Sequence, residues 1–446
     1  MRKKAIISVI MILALFTACS KHENEEELIT LLTSEAVFSE EASTDNSFLG
    51  DYAEEKSENI DDTESEYVTI MGRLYSKKRT SFSFYPEMGV TSEGIAELCN
   101  LPNLKTLYLS SFDLTDVDLS PLSELTSLES LYLSYNTGIT DIGFLSSLTN
   151  LEELQLCSNS INDINALSTL TNLEKLELCY NSVNDISALS SLTNLEELDL
   201  SSNSVDDITA LSGLVKLREL KLSENNISDL TALSELKNLT VLELGSNEIT
   251  EIDALSNLTE LTELYLGSNE ITEINALSNL TRLAKLSLWG NKITEIDALS
   301  NLTGLTELYL GSNEITEIDA LSSLTGLAGL ELSGNEISNA EPLSKLVGLN
   351  RLYISDNVIV SIEALSCLQS LEYLLIDGNL ITDISPLSEL SRLKALELSE
   401  NPLDSLDVDT LSKLTSLEFL TLGDGVTFDN ADIEELRAAL PECSIS

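Results

Sequence analysis

Apolar residues recur along most of the chain in the string LxxLxLxxN, in which the positions marked x are mostly polar. From Asn159 onward the asparagine returns every 22 residues, and units that lack it flank the series at 104–109 and 417–422. Such self-similarity predicts a solenoid of about 15 stacked units. The asparagines are Asn136, Asn159, Asn181, Asn203, Asn225, Asn247, Asn269, Asn291, Asn313, Asn335, Asn357, Asn379 and Asn401.

The spacing within a unit predicts one short strand, such as residues 153–157, paired in parallel with the strands of its neighbours. Side chains alternate along a strand, so Leu154 and Leu156 should be buried while the residues beside them face a concave surface. The remaining residues leave room only for 3₁₀ turns or very short helices on the convex side. We therefore predict an α/β solenoid, a horseshoe with a parallel concave sheet and short 3₁₀ or irregular convex segments.

Both ends of the repeats, at 104–425, need caps because an open solenoid exposes its core. We predict an N-terminal cap over 67–103 and a C-terminal cap over 426–446. The expected N-terminal elements are a degenerate strand at Phe82 and Phe84 and a helix over 92–98 with Ser92 or Thr91 as N-cap. The expected C-terminal elements are a helix over 429–440, ended by Pro441, and a closing segment over 443–445.

The first 19 residues resemble a bacterial lipoprotein signal peptide, because an apolar run over 5–16 too short to span a bilayer leads into Thr17-Ala18-Cys19. In that motif the cysteine carries the lipid and becomes the mature N-terminus, so Cys19 is the candidate lipidation site. Phe16 stands where the motif usually has leucine, and an ordinary secretory peptide cut nearby is the alternative. The resemblance implies an extracytoplasmic, lipid-anchored protein that touches the membrane only through this lipid.

Residues 20–66 carry 16 acidic side chains against Lys21 and Lys56, together with many serines, threonines and asparagines. Such a segment cannot bury enough apolar area to offset the entropy lost on ordering. We expect a disordered acidic tether that holds the repeats away from the membrane.

The charge balance excludes several functions. The chain has 75 Asp and Glu against 24 Lys and Arg, a formal net charge of −51. Nucleic-acid binding needs clustered Lys and Arg and is therefore excluded. His22 is the only histidine, and no nucleophile–base pair, phosphate loop or metal cluster accompanies it. We predict a protein that is not an enzyme and has no cofactor or metal.

The repeat resembles that of leucine-rich repeat proteins, and its amino-acid sequence is similar to that of the internalin class of bacterial surface proteins. The phrases that carry this resemblance are NSINDINALSTLTNL at 159–173 and NLITDISPLSELSRL at 379–393. It covers about residues 104–425 and implies a secreted or surface-held module whose concave face binds a protein partner. The caps and the Thr17-Ala18-Cys19 motif better resemble those of generic leucine-rich lipoproteins of Gram-positive bacteria.

The predicted concave positions carry an aromatic group beside an acidic one. Because neighbouring strands lie about 4.8 Å apart, the aromatic side chains should fall within roughly 25 Å of one another, as interface anchors do. Tyrosine is also favoured on strands generally, and the identical segments 261–274 and 305–318 indicate that two of the tyrosines record a duplication. The candidate partner-binding residues are Tyr265, Trp289, Tyr309, Tyr353, Tyr373, Glu177, Asp199 and Glu243.

The sequence assigns no function to its other cysteines or to its paired convex acids. Cys157 and Cys179 occupy the same column of adjacent units, but in-register parallel strands orient side chains poorly for a disulfide, so we expect free thiols. We expect Cys99, Cys367 and Cys443 to be small buried residues.

Convex acid pairs could face calcium, yet a solvated acidic surface is the favoured interpretation. The pairs are Glu251 with Asp253, Glu295 with Asp297, and Glu317 with Asp319.

Taken together, these features predict a monomeric, non-enzymatic cell-surface module that binds a protein partner, in adhesion or another surface interaction. The alternative is a module that binds carbohydrate or cell-wall glycan, since exposed tyrosines and acids also suit sugars. The identity of the partner and its host or bacterial origin stay open at this point.

Overall fold

The computed structural model describes residues 66–85, 89–403, 405–423 and 429–446. The predicted signal peptide with Cys19 and the predicted tether as far as residue 65 lie outside these ranges. No helix within them is long and apolar enough to cross a bilayer.

Seventeen short parallel strands of the described chain form one sheet, in which each strand pairs with the next in register. Leu242, Leu264 and Leu286, for example, lie side by side on three successive strands. This confirms the predicted solenoid and its concave parallel sheet. The strands are β3 Ser81–Ser83, β4 Thr106–Tyr108, β5 Ser130–Tyr132, β6 Glu153–Gln155, β7 Lys175–Glu177, β8 Glu197–Asp199, β9 Glu219–Lys221, β10 Val241–Glu243, β11 Glu263–Tyr265, β12 Lys285–Ser287, β13 Glu307–Tyr309, β14 Gly329–Glu331, β15 Arg351–Tyr353, β16 Tyr373–Leu375, β17 Ala395–Glu397, β18 Phe419–Thr421 and β19 Ser444–Ile445.

The convex side consists of short 3₁₀ turns, as the length of the unit predicts. In one unit, Leu264 and Leu266 of the strand side meet Ile271 and Leu277 of the convex side, and all four are fully buried. Each such side chain contributes about 1.5–3 kcal/mol. The turns of the repeats are Ser120–Glu124, Gly143–Ser147, Asn165–Thr169, Ser187–Ser191, Thr209–Leu211, Thr231–Leu233, Asp253–Leu255, Asn275–Asn279, Asp297–Asn301, Asp319–Ser323, Glu341–Lys345, Glu363–Cys367 and Ser385–Glu389.

The repeated asparagines tie each unit to its neighbours. The Asn247 amide nitrogen donates to the carbonyls of Leu222, Leu244 and Gly245 at 3.0, 3.1 and 3.2 Å, and its Oδ1 accepts from the Ile227 N–H at 3.0 Å. These backbone groups lie where the chain leaves the sheet, and successive asparagines share them, since the Leu222 carbonyl also accepts from Asn225 and the Leu244 carbonyl from Asn269. The asparagine column is therefore structural, as buried polar side chains usually are.

The asparagine column has one irregularity, between Asn136 and Asn159. Their interval is 23 residues instead of 22, and the unit contains Gly138 at a φ of 91°. A Cβ atom at Gly138 would lie 2.4 Å from the Thr115 Cα, so only glycine fits there. Beside this extra residue, the buried Oδ1 of Asn159 accepts no hydrogen bond from the described residues.

The N-terminal cap contains an antiparallel hairpin that the sequence pattern did not predict, formed by β1 Tyr67–Ile70 and β2 Arg73–Ser76. The strand expected at Phe82 is β3, and the expected helix is α1 Ser92–Glu97, with Thr91 as its N-cap. The Glu97 carboxylate accepts from the Met71 N–H at 2.6 Å and so joins the hairpin turn to α1.

The C-terminal cap covers the last unit. A short helix, α2 Val408–Leu411, replaces the 3₁₀ turn there, and α3 Asn430–Ala439 begins at Asp429, whose side chain accepts from the Ala431 N–H. Leu436 of α3 is fully buried. The closing strand β19 pairs with β18, where the sequence predicted a closing segment.

Candidate functional site

Two columns of side chains face outward from the sheet. We call them the Glu307 column, made of the first residue of each strand, and the Tyr309 column, made of the third residue. The residue between them is a buried leucine in β4 to β18. Because every strand repeats this arrangement, the chemistry of the concave face follows from which residues are neighbours across strands.

The aromatic patch comprises the five predicted aromatic residues, and all five side chains are part-exposed. They lie on β11, β13, β15 and β16, with Trp289 two residues beyond the end of β12. In both neighbouring units the residue equivalent to Trp289 is a glycine, Gly267 or Gly311. The members of the patch are Tyr265, Trp289, Tyr309, Tyr353 and Tyr373.

Carboxylates of the Glu307 column hold two of the tyrosines. The Tyr265 hydroxyl donates to Glu263 Oε2 at 2.7 Å, and the Tyr309 hydroxyl donates to Glu307 Oε2 at 3.1 Å. Burial raises the pKa of both hydroxyls, and the adjacent carboxylates raise it further. Both hydroxyls therefore stay protonated and keep donating. At the far end of the patch, Lys394 Nζ lies 6.0 Å from the centroid of the Tyr373 ring.

A gap in the Glu307 column lies between Tyr309 and Tyr353. Gly329 supplies no side chain, and across it Arg351 Nη2 reaches Glu307 Oε1 at 2.5 Å, although the two residues are two strands apart. A Cβ atom at Gly329 would lie 2.4 Å from Glu307 Oε2 and 3.2 Å from Arg351 Nη2. The ion pair therefore depends on glycine at this position.

Glu331 occupies the Tyr309 column between Tyr309 and Tyr353. Its Oε2 accepts from the Gly311 N–H and its Oε1 from the Ser333 N–H, both at 2.7 Å. Burial raises the pKa of the Glu331 carboxyl to about 7, against the lowering effect of these hydrogen bonds. Its side chain is part-exposed, and no ion pair within the described ranges includes it.

The acidic stripe lies on β6 to β10 and contains the three predicted acidic residues, Glu177, Asp199 and Glu243. Two lysines neutralise much of it, each between two glutamates. Lys175 Nζ lies 3.1 Å from both Glu177 and Glu197. Lys221 Nζ lies 3.0 Å from Glu219 and 3.6 Å from Glu243. The members of the stripe are Glu153, Glu177, Glu197, Asp199, Glu219 and Glu243.

Three carboxyl groups of the stripe have a raised pKa in spite of its lysines. Burial raises the pKa of Glu177, Asp199 and Glu243, and neighbouring carboxylates add to the rise. Burial alone would lower the pKa of Lys221, but Glu243 and Glu219 raise it instead. Lys221 is therefore held charged by the carboxylates that it neutralises.

Sequence reasoning missed two exposed tyrosines, which we call the rim tyrosines. Tyr135 and Tyr180 expose 65% and 51% of their surface, more than any member of the aromatic patch. Both occupy the turn residue before the repeat asparagine, at φ of 61° and 54°. Most units have serine or glycine there, so the dipeptide Tyr-Asn is the signal that could have found them. Nearby, the rings of Tyr108 and Tyr132 stack at 4.6 Å.

The prediction of free thiols at Cys157 and Cys179 is wrong, because the structure joins them in a disulfide with Cα atoms 4.5 Å apart. Both residues lie two positions beyond their strands, which end at Gln155 and Glu177. The chain turns there, and the Ser158 N–H donates to the Cys179 carbonyl at 2.8 Å. Past the strand end the two side chains no longer follow the alternation of the ladder, so the sulfur atoms can meet.

The other cysteines of the described chain were expected to be buried, and this is also wrong. Cys367 is exposed, while Cys99 and Cys443 are part-exposed. Cys367 ends a 3₁₀ turn, at a position where neighbouring units have polar residues. A convex turn in a short unit does not bury this position.

The convex acid pairs do not assemble into a larger group. Within the described part of the chain, no cluster of three or more His, Cys, Asp or Glu side chains is arranged to hold a metal ion. Glu251, Asp253, Glu295 and Asp297 are exposed to solvent. The structure therefore gives no support to the calcium interpretation.

Comparison with known proteins agrees with this architecture. A family model described as Leucine Rich repeats (2 copies) matches in overlapping segments over 102–170 and 171–279, and again over 281–323. No curated protein matches the chain.

Several of the solved structures similar to this chain are bacterial repeat proteins. An internalin (inlF) from Listeria monocytogenes is 36% identical with a TM-score of 0.63, covering 65% of this chain and 85% of that one. A leucine-rich repeat protein of Leptospira interrogans is 27% identical with a TM-score of 0.67, covering 79% and 98%. The functional domain of InlJ from Listeria monocytogenes, 23% identical over 78% and 76% with a TM-score of 0.57, shares the fold.

The chain belongs to the leucine-rich repeat family, and its structural neighbours include internalins. Domains of this family are typically protein-interaction modules and are generally not enzymes.

Proposed function

We propose that this protein is a non-enzymatic recognition module of the cell surface and binds a protein partner through the aromatic patch. The observation that carries the proposal is that the patch is held in place on a rigid sheet, since Glu263 and Glu307 fix the hydroxyls of Tyr265 and Tyr309. Aromatic side chains that are already ordered lose little conformational entropy on binding and are frequent interface anchors.

The acidic stripe adjoins the patch and adds a preference for a basic partner. Glu177, Asp199 and Glu243 are part-exposed, and the six carboxylates of the stripe exceed its two lysines. Electrostatic complementarity of this kind speeds association and suppresses wrong partners. We place these three acids at the edge of the binding surface and the aromatic residues at its centre.

The similarity to internalins supports a surface location for this chain. We further propose that Cys19 carries a lipid that anchors a monomer to the outer side of the cell membrane. Metabolic labelling with a palmitate analogue should mark the wild type and not the Cys19→Ser variant, and equal labelling of both would refute the anchor. Sedimentation of the full chain should give the mass of one protomer.

The binding surface is tested with the labelled full chain on bacterial and host cells. Saturable binding by the wild type should be lost when Tyr265, Trp289 and Tyr309 are changed together to alanine. The matched control changes the rim tyrosines Tyr135 and Tyr180 to alanine, which removes more exposed aromatic surface outside the patch. Binding that survives the triple change, or that is lost equally in the control, contradicts the proposal.

The same assay separates a protein partner from a glycan. Protease treatment of the target cells should abolish binding, while periodate oxidation of their glycans should leave it intact. The reverse result would favour the carbohydrate-binding alternative.

A further inference from the structure

The N-terminal cap carries a cluster of positive charge on an otherwise acidic chain. Residues 73–85 contain four basic side chains and no acidic one, although the whole chain has a formal net charge of −51. We call these four residues the basic cluster. Arg73 and Lys78 are exposed, and Lys77 and Arg79 are part-exposed. The cluster starts on β2 and continues into the segment that leads to β3, so its charge is concentrated at the hairpin.

The basic cluster is poorly neutralised by its own chain. Lys78 Nζ lies 3.4 Å from Glu66 Oε1, but both side chains are mostly exposed, so this pair is weak and can exchange with another anion. Among the described residues, neither Arg73 nor Lys77 takes part in an ion pair. The lysines of the acidic stripe, by contrast, each lie between two glutamates. The hairpin therefore has positive charge to offer to an external anion.

The hairpin is amphipathic, and part of its outer face is apolar. Val68 and Ile70 pack against the core, so the alternation along β1 places Tyr67 on the opposite, outer face. Leu74 pairs with Thr69 across the hairpin and lies on that same face. Tyr67 exposes 45% and Leu74 58% of its surface. The outer face thus combines exposed apolar side chains with the neighbouring basic cluster.

This combination suits the surface of an anionic lipid bilayer. Lysine and arginine are attracted to lipid phosphates, and tyrosine is enriched at the depth of the headgroups. A leucine side chain gains free energy when it leaves water for the acyl boundary. A soluble acidic partner would use the charge of the hairpin but would give no reason for the exposure of Leu74.

The acidity of the repeats does not prevent such a contact. The acidic stripe begins at β6, three strands from β3, or about 14 Å at the usual spacing. At physiological ionic strength, exposed charges further apart than about 8 Å are largely screened from one another. The segment that carries the proposed lipid also joins the described chain at Glu66, beside the hairpin.

We propose that the β1–β2 hairpin docks on an anionic lipid bilayer, with the basic cluster against lipid phosphates and with Tyr67 and Leu74 in the headgroup layer. This contact is additional to the lipid at Cys19, which the sequence alone suggested as the only link to the membrane. It goes beyond the proposed function, because it needs neither that lipid nor the aromatic patch. The patch begins eight strands beyond β3, so a docked molecule can still bind a partner.

The docking is tested with an environment-sensitive fluorescent amino acid in place of Thr69, on the outer face of the hairpin. The full chain is mixed with vesicles of phosphatidylcholine, or of phosphatidylcholine and phosphatidylglycerol in equal parts. Because the label reports on the hairpin, attachment through residues 1–19 alone does not produce its signal. We expect a blue shift and quenching by brominated lipid on the anionic vesicles only, and reversal of both in concentrated salt.

The deciding comparison uses two pairs of charge-neutral substitutions in the labelled chain. Arg73→Gln together with Lys78→Gln should weaken the response to anionic vesicles at least tenfold. The matched control, Lys216→Gln together with Lys345→Gln, removes the same charge from exposed lysines of the repeats and should leave it unchanged. Leu74→Ser should reduce the quenching by brominated lipid. Circular dichroism confirms that each variant is folded.

Three results would each overturn the docking: an equal response to both kinds of vesicle, equal losses in the two double variants, or quenching that Leu74→Ser leaves unchanged. An equal response to soluble polyglutamate would assign the hairpin to an acidic polypeptide and would also overturn it. None of these results bears on the triple alanine change in the aromatic patch, whose effect on cell binding tests the proposed function separately.

Discussion

The acidic stripe and the aromatic patch occupy the same two columns of the same sheet, yet their charges are arranged differently. In the stripe, Lys175 and Lys221 each bridge glutamates on adjoining strands, so the charge of these glutamates is partly neutralised within the molecule. In the patch, Glu263 and Glu307 each hold a tyrosine hydroxyl and each pair with one cation, Lys285 or Arg351. Glu331 accepts only backbone N–H groups. The difference is that one lysine serves two glutamates in the stripe, whereas in the patch each cation pairs with a single glutamate that also binds a tyrosine.

The two regions also differ in how they are fastened. The stripe begins at β6 and β7, where the disulfide Cys157–Cys179 joins adjacent units, whereas hydrogen bonds, ion pairs such as Arg351–Glu307 and the leucine core hold the units of the patch. A sheet built from identical units can therefore be reinforced locally without a change of fold.

The largest effect on this comparison should come from removing the disulfide. Changing Cys157 and Cys179 together to serine frees a loop of 22 residues and should lower the free energy of unfolding by about 3 kcal/mol. Urea denaturation measures the loss, and the fluorescence of Trp289 shows whether the patch end unfolds with the stripe end. If thiol titration of the unfolded, unreduced wild type finds both cysteines free, the disulfide is wrong.

An effect of opposite sign is expected in the patch. Because the Glu331 pKa is raised to about 7 from the ordinary 4.5, the folded state binds the proton more tightly, and stability falls as the pH rises from 4.5 to 7. Glu331→Gln has no carboxylate to ionise, so between pH 4 and pH 8 it should gain up to about 3 kcal/mol of stability relative to the wild type. A constant difference between the two across this range would refute the assignment to Glu331.

The smallest effect should come from the lysines of the stripe. Lys221→Met should cost about 1 kcal/mol at pH 7, because Glu219 and Glu243 lose their shared counter-charge. The loss should shrink at pH 4, where protonation relieves the repulsion between carboxylates. The matched control, Lys237→Met, removes an exposed lysine that pairs with Glu235 and should change little. Equal losses in both variants would show that the stripe is not neutralised as described.

The fold could be predicted almost completely from the period. Repetition predicts one strand for every 22 residues, the burial of its central leucine and the hydrogen bonds of Asn247, because every unit packs the same residues against its neighbours. The β1–β2 hairpin escaped prediction because it lies outside the repeats and its residues show no comparable pattern.

The site could be predicted only in part. The alternation of strands places Tyr309 and Glu177 on the concave face, but the contacts between columns depend on residues far apart in sequence. Glu307 and Arg351 are 44 residues apart, so the 22-residue period places them two strands apart in one column, but it does not predict that Arg351 reaches across Gly329. The Cys157–Cys179 bond was missed for a related reason, since strand geometry does not describe the turn beyond the strand end.

The central claim is that a partner binds the concave patch, and site-specific photocrosslinking tests it most directly. A benzophenone amino acid replaces Ser287, which lies between Tyr265 and Tyr309 in the Tyr309 column, or Glu295 on the convex side of the same unit. On intact target cells the full chain should form a discrete crosslinked species from position 287 and none from 295. Crosslinking from 295 with none from 287 would place the partner on the convex side and contradict the account.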